Sequence, residues 1–319
     1  EQMKTTLEFI KLTIVTVGGA IAILLLTGVA SFASSNDLYK KSLGVGWGDT
    51  TTKGWNSQNG WTVTGVKEMK AYEKKTGTVL FDLQSEVTRH GDTAFFIQAP
   101  GDECFQRQSD CNRPDGTSYK RVEAKRADGF IGMSWVSFSF MIPDTYEFDS
   151  TDMSIAQFHS QHGPYPPMFL MFINEMGLLW HHESAEGMFV GEKDMHTCSP
   201  GHSRKYCEKQ MEDYQLIPFD ELETNVWYDV VFNINFDNKN IDKAFHKIWI
   251  NGELVHERHN QTLWKRHKGA DSRDMTANLN FGLYGSAKNN SYQAIYADEV
   301  HFGRKCSKLG INNLGYDCD

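Results

Sequence analysis

The chain has 319 residues, of which 40% are hydrophobic and 13% aromatic, and its formal net charge is -9. The aromatic content excludes an intrinsically disordered chain, because such chains lack the apolar side chains that build a core. The length suits one large domain or two small ones. The acidic balance argues against a nucleic-acid partner, since DNA binding without sequence preference depends on neutralising phosphates. Another anionic ligand remains compatible, because a local basic cleft attracts anions even on an acidic protein.

The beginning of the chain differs in composition from the rest. Two lysines precede an apolar stretch from Leu12 to Ala33, which closes on the small residues Ser31 and Ala33. This pattern predicts a secretory signal peptide over residues 1–33. The stretch is also about long enough to span a bilayer, so an N-terminal membrane anchor is the alternative. Either interpretation predicts that residues 34–319 are secreted or extracytoplasmic, with membrane contact only if the segment is retained.

The six cysteines fall in three close pairs, Cys104 and Cys111, Cys198 and Cys207, and Cys306 and Cys318. An even count at short spacing in an exported chain predicts disulfide bonds. We interpret the pairing as local, because each pair flanks a loop rich in polar residues. A zinc site is the alternative for the middle pair, which has His196 and His202 nearby, but a second CxxC-like half is missing there.

Segments of β-strand type follow one another along the rest of the chain, because they alternate or carry short apolar runs. They are 78–83, 94–98, 134–142, 226–236, 245–250 and 291–297. Asn251 and Gly252 between two such runs indicate a two-residue hairpin turn. Beyond residue 75, only Lys205 to Tyr214 approaches a helical period. About a dozen strands without helices predict one all-β domain over 34–319, a two-sheet antiparallel jelly roll or concanavalin-like sandwich.

Three of the predicted strands carry polar side chains at alternate positions, and alternate side chains of a strand share a face. We expect these residues to line one groove on a concave sheet: Arg121, Glu123 and Lys125; Gln157 and His159; and Asn280, Gly282 and Tyr284. The structural alternatives are an exposed ion-pair ladder for the first strand, a structural histidine for the second and a packed aromatic ring for the third.

This set of side chains suits the cleavage of a glycosidic bond beside a uronic acid by β-elimination. The reaction needs a group that neutralises the carboxylate, so that the adjacent C5 proton becomes acidic. It also needs a base for that proton and an acid that protonates the departing O4. Arg121 and Gln157 suit the first role, His159 the second and Tyr284 the third.

The same segments resemble the jelly-roll polysaccharide lyases of the heparin lyase I and glucuronan lyase type. Gln157-Phe-His159 resembles their Gln-x-His strand, Arg121-Val-Glu-Ala-Lys their Arg-x-Glu-Leu-Arg strand, and Phe281-Gly-Leu-Tyr284 their Lys-x-Gly-x-Tyr strand. Trp227-Tyr-Asp-Val-Val and the segment from Ile248 to Val255 are also similar to that type. The resemblance runs from about Val79 to Gly303.

The resemblance implies that His159 and Tyr284 are the base and the acid, and that Arg121 and Gln157 neutralise the carboxylate. Two positions depart from the family pattern. Asn280 stands where the family often has lysine, and Lys125 follows an alanine where the family has Leu-Arg. We therefore expect Lys125 and Asn280 to contact substrate with charges that differ from those of the family.

Further candidates lie outside these strands. His182, Arg258 and Lys265 are candidate substrate contacts, with a solvated surface as the alternative. Asp298 resembles a position that binds calcium in sandwich domains of this kind, and its alternative is a surface carboxylate. We expect no required cofactor beyond such a structural calcium ion, an anionic polysaccharide as partner, and a monomer.

Two other functions compete with the lyase. A non-catalytic, lectin-like or laminin-G-like sandwich would bind carbohydrate without needing both His159 and Tyr284. A glycoside hydrolase on the same fold needs two carboxylates across the scissile bond. The Glu-x-Asp-x-x-Glu signature of sandwich hydrolases is absent from the sequence.

Overall fold

The computed structural model describes residues 61–63, 66–90, 94–101, 118–126, 132–160, 167–183, 211–236, 243–259, 277–287 and 290–309. These ranges contain one helix, α1 (Val66–Thr76). Their strands are β1 (Trp61–Val63), β2 (Phe81–Gln84), β3 (Ala94–Ala99), β4 (Tyr119–Arg126), β5 (Gly132–Met141), β6 (Met153–Ser160), β7 (Pro167–Asn174), β8 (Gly177–Glu183), β9 (Met211–Pro218), β10 (Trp227–Phe236), β11 (Phe245–Ile250), β12 (Glu253–His259), β13 (Ala277–Ser286) and β14 (Gln293–Gly303).

The strands form two antiparallel sheets of seven strands each. The first sheet has the order β1-β4-β13-β6-β7-β8-β9, and the second has the order β12-β11-β10-β5-β14-β3-β2. Aromatic side chains from both sheets pack between them: Phe158 and Trp180 of the first sheet lie with ring centroids 5.5 Å and 5.2 Å from that of Phe232 in the second. The predicted all-β, two-sheet jelly roll is confirmed.

The alternation of side chains on β4 separates an apolar face from a polar one. On β4, Val122 and Ala124 are fully buried in the core between the sheets, so Arg121, Glu123 and Lys125 point to the opposite side. We call this opposite side the outer face of the first sheet. The chemistry of this face is set by the polar residues that alternate with the core residues along the strands.

The hairpin predicted at Asn251 and Gly252 joins β11 to β12. Both residues have positive φ, 51° and 85°, which is the conformation that a two-residue turn between twisted strands requires. Asn251 also accepts a hydrogen bond from the backbone N–H of Asp229 through its side-chain oxygen, at 2.8 Å. The turn is therefore fixed by backbone geometry and by a bond to the neighbouring strand β10.

Helical structure differs from the sequence pattern in two places. Helix α1 was not expected. Only Met69 is buried in the core and Tyr72 packs partly on it, so the helical pattern of apolar residues is too short to be recognised in the sequence. The helix ends at Gly77, whose φ of 77° allows its N–H to bond the carbonyl of Glu73 at 2.8 Å. The described end of the segment from Lys205 to Tyr214 belongs to strand β9 rather than to a helix.

Several predictions fall on residues outside the described ranges. They are the N-terminal segment 1–33, Lys265 and the cysteines Cys104, Cys111, Cys198, Cys207 and Cys318. Cys306 is described and takes part in a disulfide bond, and its pairing with Cys318 stays a prediction. Among the helices of the described ranges, none is long and apolar enough to cross a membrane.

Candidate active site

Three neighbouring strands bring the predicted catalytic side chains to the outer face of the first sheet. In the register of β13 with β4, Tyr284 lies opposite Arg121. In the register of β13 with β6, Asn280 lies opposite Gln157. His159 shares the face of Gln157, because Phe158 between them and Ala156 before them belong to the core. Arg121, Gln157, His159 and Tyr284 therefore occupy one surface.

Glu123 connects two of these side chains at the centre of the face. One of its carboxylate oxygens lies 3.3 Å from a terminal nitrogen of Arg121, and the other accepts a hydrogen bond from the amide of Gln157 at 2.5 Å. The Glu123 side chain is only 1% exposed. A buried carboxylate of this kind needs such partners, and in return it fixes their orientation. The sequence-based prediction of an exposed ion-pair ladder therefore does not describe Glu123.

Tyr284 is held between a cation and a second aromatic ring. The guanidinium carbon of Arg121 lies 4.3 Å from the centroid of the Tyr284 ring. The ring of Tyr119 stacks on Tyr284 with centroids 5.2 Å apart and an interplanar angle of 12°. The two contacts fix the plane of the phenol ring. With the ring plane fixed, the backbone of β13 determines where the hydroxyl lies.

Gly282 shapes the strand just before Tyr284. Its φ is 131°, and a Cβ atom at this position would lie 2.2 Å from the carbonyl oxygen of Val122. The register of β13 against β6 shifts between Phe281 and Tyr284, which is typical of a bulge that redirects a side chain. Glycine is therefore required here by both the positive φ and the close approach of β4.

The charge of the face is mixed, with two cations around one buried carboxylate. Burial lowers the pKa of Lys125, the nearby charge of Arg121 lowers it further, and Glu123 opposes both effects. Lys125 lies opposite Asn280 in the register of β4 with β13. A partly desolvated lysine beside an arginine is typical of a surface that receives an anion.

Strand β13 adds two buried amides to this face. Asn278 is fully buried and lies opposite His159, and Asn280 is 6% exposed. Both amide atoms of Asn278 and the amide oxygen of Asn280 lack a hydrogen-bond partner within the described part of the chain. Asn280 was predicted as a site residue from the sequence, whereas Asn278 was not. The alternation that singled out Asn280 and Tyr284 extends by one more step to Asn278, and that signal was available.

His182 does not belong to this face, so its predicted contact with substrate is dropped. Leu178 and Trp180 of β8 lie in the core, and His182 follows the same alternation. Its ring centroid lies 4.8 Å from that of Phe169 and 4.9 Å from that of His246, which belongs to the second sheet. The preceding residue, His181, has the outward position instead, and its Nδ1 lies 2.5 Å from a carboxylate oxygen of Asp213.

Arg258 lies on β12, the edge strand of the second sheet. Its guanidinium carbon is 5.6 Å from the ring centroid of Tyr214 on β9, and burial lowers its pKa. It therefore sits where the edges of the two sheets meet, apart from the strands that carry His159 and Tyr284. Its role in substrate binding stays a prediction.

Asp298 lies on the second sheet, and its role as a calcium ligand stays a prediction. Its carboxylate accepts hydrogen bonds from the backbone N–H groups of Arg89, His90 and Glu299 at 2.9, 3.1 and 2.8 Å. These donors would compete with a cation for the carboxylate oxygens. Burial raises the pKa of Asp298 to about 7, against the lowering effect of these hydrogen bonds. Within the described ranges, no group of three or more histidine, cysteine or acidic side chains is arranged to hold a metal.

Comparison with known proteins identifies the family and the fold of the chain. The sequence matches the family described as polysaccharide lyase over residues 48–301. The fold is similar to that of the endo-β-1,4-glucuronan lyase from the fungus Trichoderma reesei, with a TM-score of 0.51 and 17% identity, covering 81% of this chain and 94% of that one.

Other comparisons are weaker. The alginate lyase A1-II', a member of polysaccharide lyase family 7, has a TM-score of 0.44 and 12% identity, covering 71% of this chain and 83% of that one. No curated protein matches the sequence. Identities this low show the fold alone, whereas the family match spans most of the chain. The chain belongs to the polysaccharide lyase family and is an enzyme that acts on a polysaccharide.

Proposed function

We propose that this protein cleaves a polysaccharide containing uronic acid by β-elimination, with His159 as the base and Tyr284 as the acid. The observation that carries the proposal is the common outer face of Arg121, Gln157, His159 and Tyr284 on the adjacent strands β4, β13 and β6. Each step of the reaction needs one of the functions that these side chains supply.

The first step is the neutralisation of the uronate carboxylate, which makes the C5 proton acidic. Arg121 supplies positive charge, and its bond to Glu123 holds the guanidinium in place. Gln157 is fixed by the same carboxylate. Preorganised donors of this kind stabilise the negative charge that develops on the carboxylate as the proton leaves.

In the second step His159 removes the C5 proton. The electron pair of the C5–H bond forms the C4–C5 double bond, and the bond from C4 to O4 breaks. Tyr284 donates its hydroxyl proton to O4, so that the products are an unsaturated uronate and a new chain end. A histidine is suited to the base because its usual pKa is close to neutrality.

The two competing functions are less well supported. In β4, β13 and β6 as described, Glu123 is the one carboxylate on the outer face, and it is engaged by Arg121 and Gln157. A hydrolase needs two carboxylates that flank the bond. A lectin-like protein would bind the polymer without cleaving it, so it is distinguished by the absence of an unsaturated product.

The test is incubation of the protein with a panel of uronate polymers. The fold similarity to a glucuronan lyase makes glucuronan the first substrate to test, with alginate and heparan-type polymers beside it. The expected result is a rise in ultraviolet absorbance from the unsaturated product on at least one polymer. Binding without absorbance would favour the lectin, and new reducing ends without absorbance would favour the hydrolase.

We also propose that the enzyme acts outside the cytoplasm, as the composition of residues 1–33 and the paired cysteines predict, and that it is a monomer. Fractionation of the native host tests the location. Size-exclusion chromatography with light scattering tests the oligomeric state.

A further inference from the structure

We infer that Asn278 is a substrate-binding residue of the lyase, whose side-chain amide receives the uronate carboxylate beside His159. The inference rests on the proposed function and adds a residue to it. It starts from an amide that is fully buried on the outer face of the first sheet and makes no hydrogen bond within the described part of the chain.

A buried amide without partners is a disadvantage for folding. Leaving a buried donor or acceptor unsatisfied costs about 1–3 kcal/mol, and natural proteins accept this mainly where the group has another use. Asn278 carries both an unsatisfied donor and an unsatisfied acceptor. A leucine has the same branched arrangement of four side-chain heavy atoms and carries no polar group, so the fold itself gives no reason for asparagine here.

The place of Asn278 fits the reaction. It lies opposite His159 in the pairing of β13 with β6, and opposite side chains of paired strands stand about 5 Å apart. A carboxylate bound by Asn278 would therefore place the neighbouring C5 proton within reach of the imidazole. The amide N–H groups would donate to a carboxylate oxygen, and the amide oxygen would accept from a sugar hydroxyl.

The other donors of the face explain why a further one is needed. The amide nitrogen of Gln157 donates to Glu123, and a terminal nitrogen of Arg121 pairs with the same carboxylate. Glu123 therefore competes with the substrate for both predicted neutralising groups. Asn278 brings N–H groups that meet no such competitor among the described residues.

A neutral amide also suits a fully buried position better than a cation. A buried lysine or arginine without an ion partner would be strongly destabilising. An asparagine strengthens its hydrogen bonds as negative charge moves onto the carboxylate during proton removal.

The experiment compares Asn278→Leu with a matched control, Asn174→Leu. Asn174 is also buried, but its amide donates to Asp152 at 2.8 Å and accepts from the N–H of Met176 at 2.7 Å. We expect Asn278→Leu to unfold at the same temperature as the parent or higher, while its kcat falls about 100-fold, as for the loss of one transition-state donor. We expect Asn174→Leu to unfold at a lower temperature with kcat unchanged.

A second variant, Asn278→Asp, tests the contact with a carboxylate directly. It has the shape of asparagine but places a negative charge against the substrate, so its KM should rise above that of Asn278→Leu. A lower unfolding temperature of Asn278→Leu with parental kcat would overturn the inference, because the amide would then be structural. If the parent itself releases no unsaturated product from any polymer, the proposed function fails instead.

Discussion

Arg121 and Tyr284 face each other across β4 and β13, with the guanidinium carbon 4.3 Å from the centroid of the phenol ring. This contact joins the proposed carboxylate neutraliser to the proposed acid. The orientation of the phenol therefore depends on a side chain of the neighbouring strand, and the two functions are coupled. The predictions below separate them.

Tyr284→Phe should lower kcat by about 10² to 10⁴ and leave polymer binding nearly intact. The phenyl ring keeps the contacts with Arg121 and Tyr119, so the loss comes from the missing hydroxyl proton. His159→Ala should lose a similar factor, and added imidazole should restore part of its rate. Initial rates and polymer affinity are measured together, and near-parental kcat for Tyr284→Phe would show that another group is the acid.

Arg121→Ala should raise KM and lower kcat, because neutralisation of the carboxylate begins in the bound substrate and strengthens in the transition state. Imidazole should not rescue this variant. A change in kcat alone would mean that Arg121 does not contact the substrate carboxylate before the proton leaves.

Glu123→Ala should destabilise the protein by about 3 kcal/mol, because it leaves the charge of Arg121 without its partner on a largely buried face. It also frees Gln157 from its hydrogen bond, so the rate should fall together with stability. Denaturant unfolding checks the first effect and initial rates the second. Parental stability would indicate that Arg121 and Gln157 do not depend on this carboxylate.

Gly282→Ala should destabilise the protein and lower its activity together, because the added Cβ meets the backbone of β4 beside Tyr284. Gly252→Ala is the matched control, since Gly252 also has positive φ but has open space around it. The control should lose only about 1–2 kcal/mol from its backbone conformation and retain kcat. Equal losses in both variants would contradict a special role for the approach of β4 to β13.

Acid should destabilise the fold through the histidines between the sheets. Burial lowers the pKa of His256 to about 4, and burial with the charges of His182, His256 and His259 lowers the pKa of His246 well below its usual value. Among the described residues, the ring of Tyr214 packs against His256, and Arg258 lies over that tyrosine ring.

In the unfolded chain these histidines bind protons near pH 6.5, so the unfolded state gains protons first as the pH falls. The neutral, buried histidines therefore contribute their full stabilisation above about pH 6.5. Between pH 6.5 and about 4 the free energy of unfolding decreases by at most about 1.4 kcal/mol per pH unit for each histidine. Denaturant unfolding at pH 7.5 and pH 5 measures the slope. His256→Gln should reduce this slope, and an equal slope in the variant and the parent would contradict this account.

Much of the fold followed from alternation along single strands. The runs at 94–98 and 245–250 became β3 and β11 almost to the residue, because period-two patterns of apolar residues are local. Helix α1 was missed since it buries little of its surface. The buried position of His182 was not predicted, although Trp180 and Leu178, two and four residues earlier, already indicate the core side.

The candidate site was predictable as a set of residues but not as a network. The sequence pattern predicted that three strands carry Arg121, Gln157, His159 and Tyr284 on their polar faces. It did not contain the bond of Gln157 to Glu123 or the unsatisfied amide of Asn278, because both depend on which strands become neighbours. That neighbourhood, β4-β13-β6, joins segments that are far apart in the chain.

The most direct test of the central claim is the product formed from glucuronan or another uronate polymer. We predict new chain ends that carry the C4–C5 double bond, seen as ultraviolet absorbance that rises in step with reducing ends and disappears in Tyr284→Phe and His159→Ala. Cleavage that yields reducing ends without absorbance, or full activity in both variants, would contradict it.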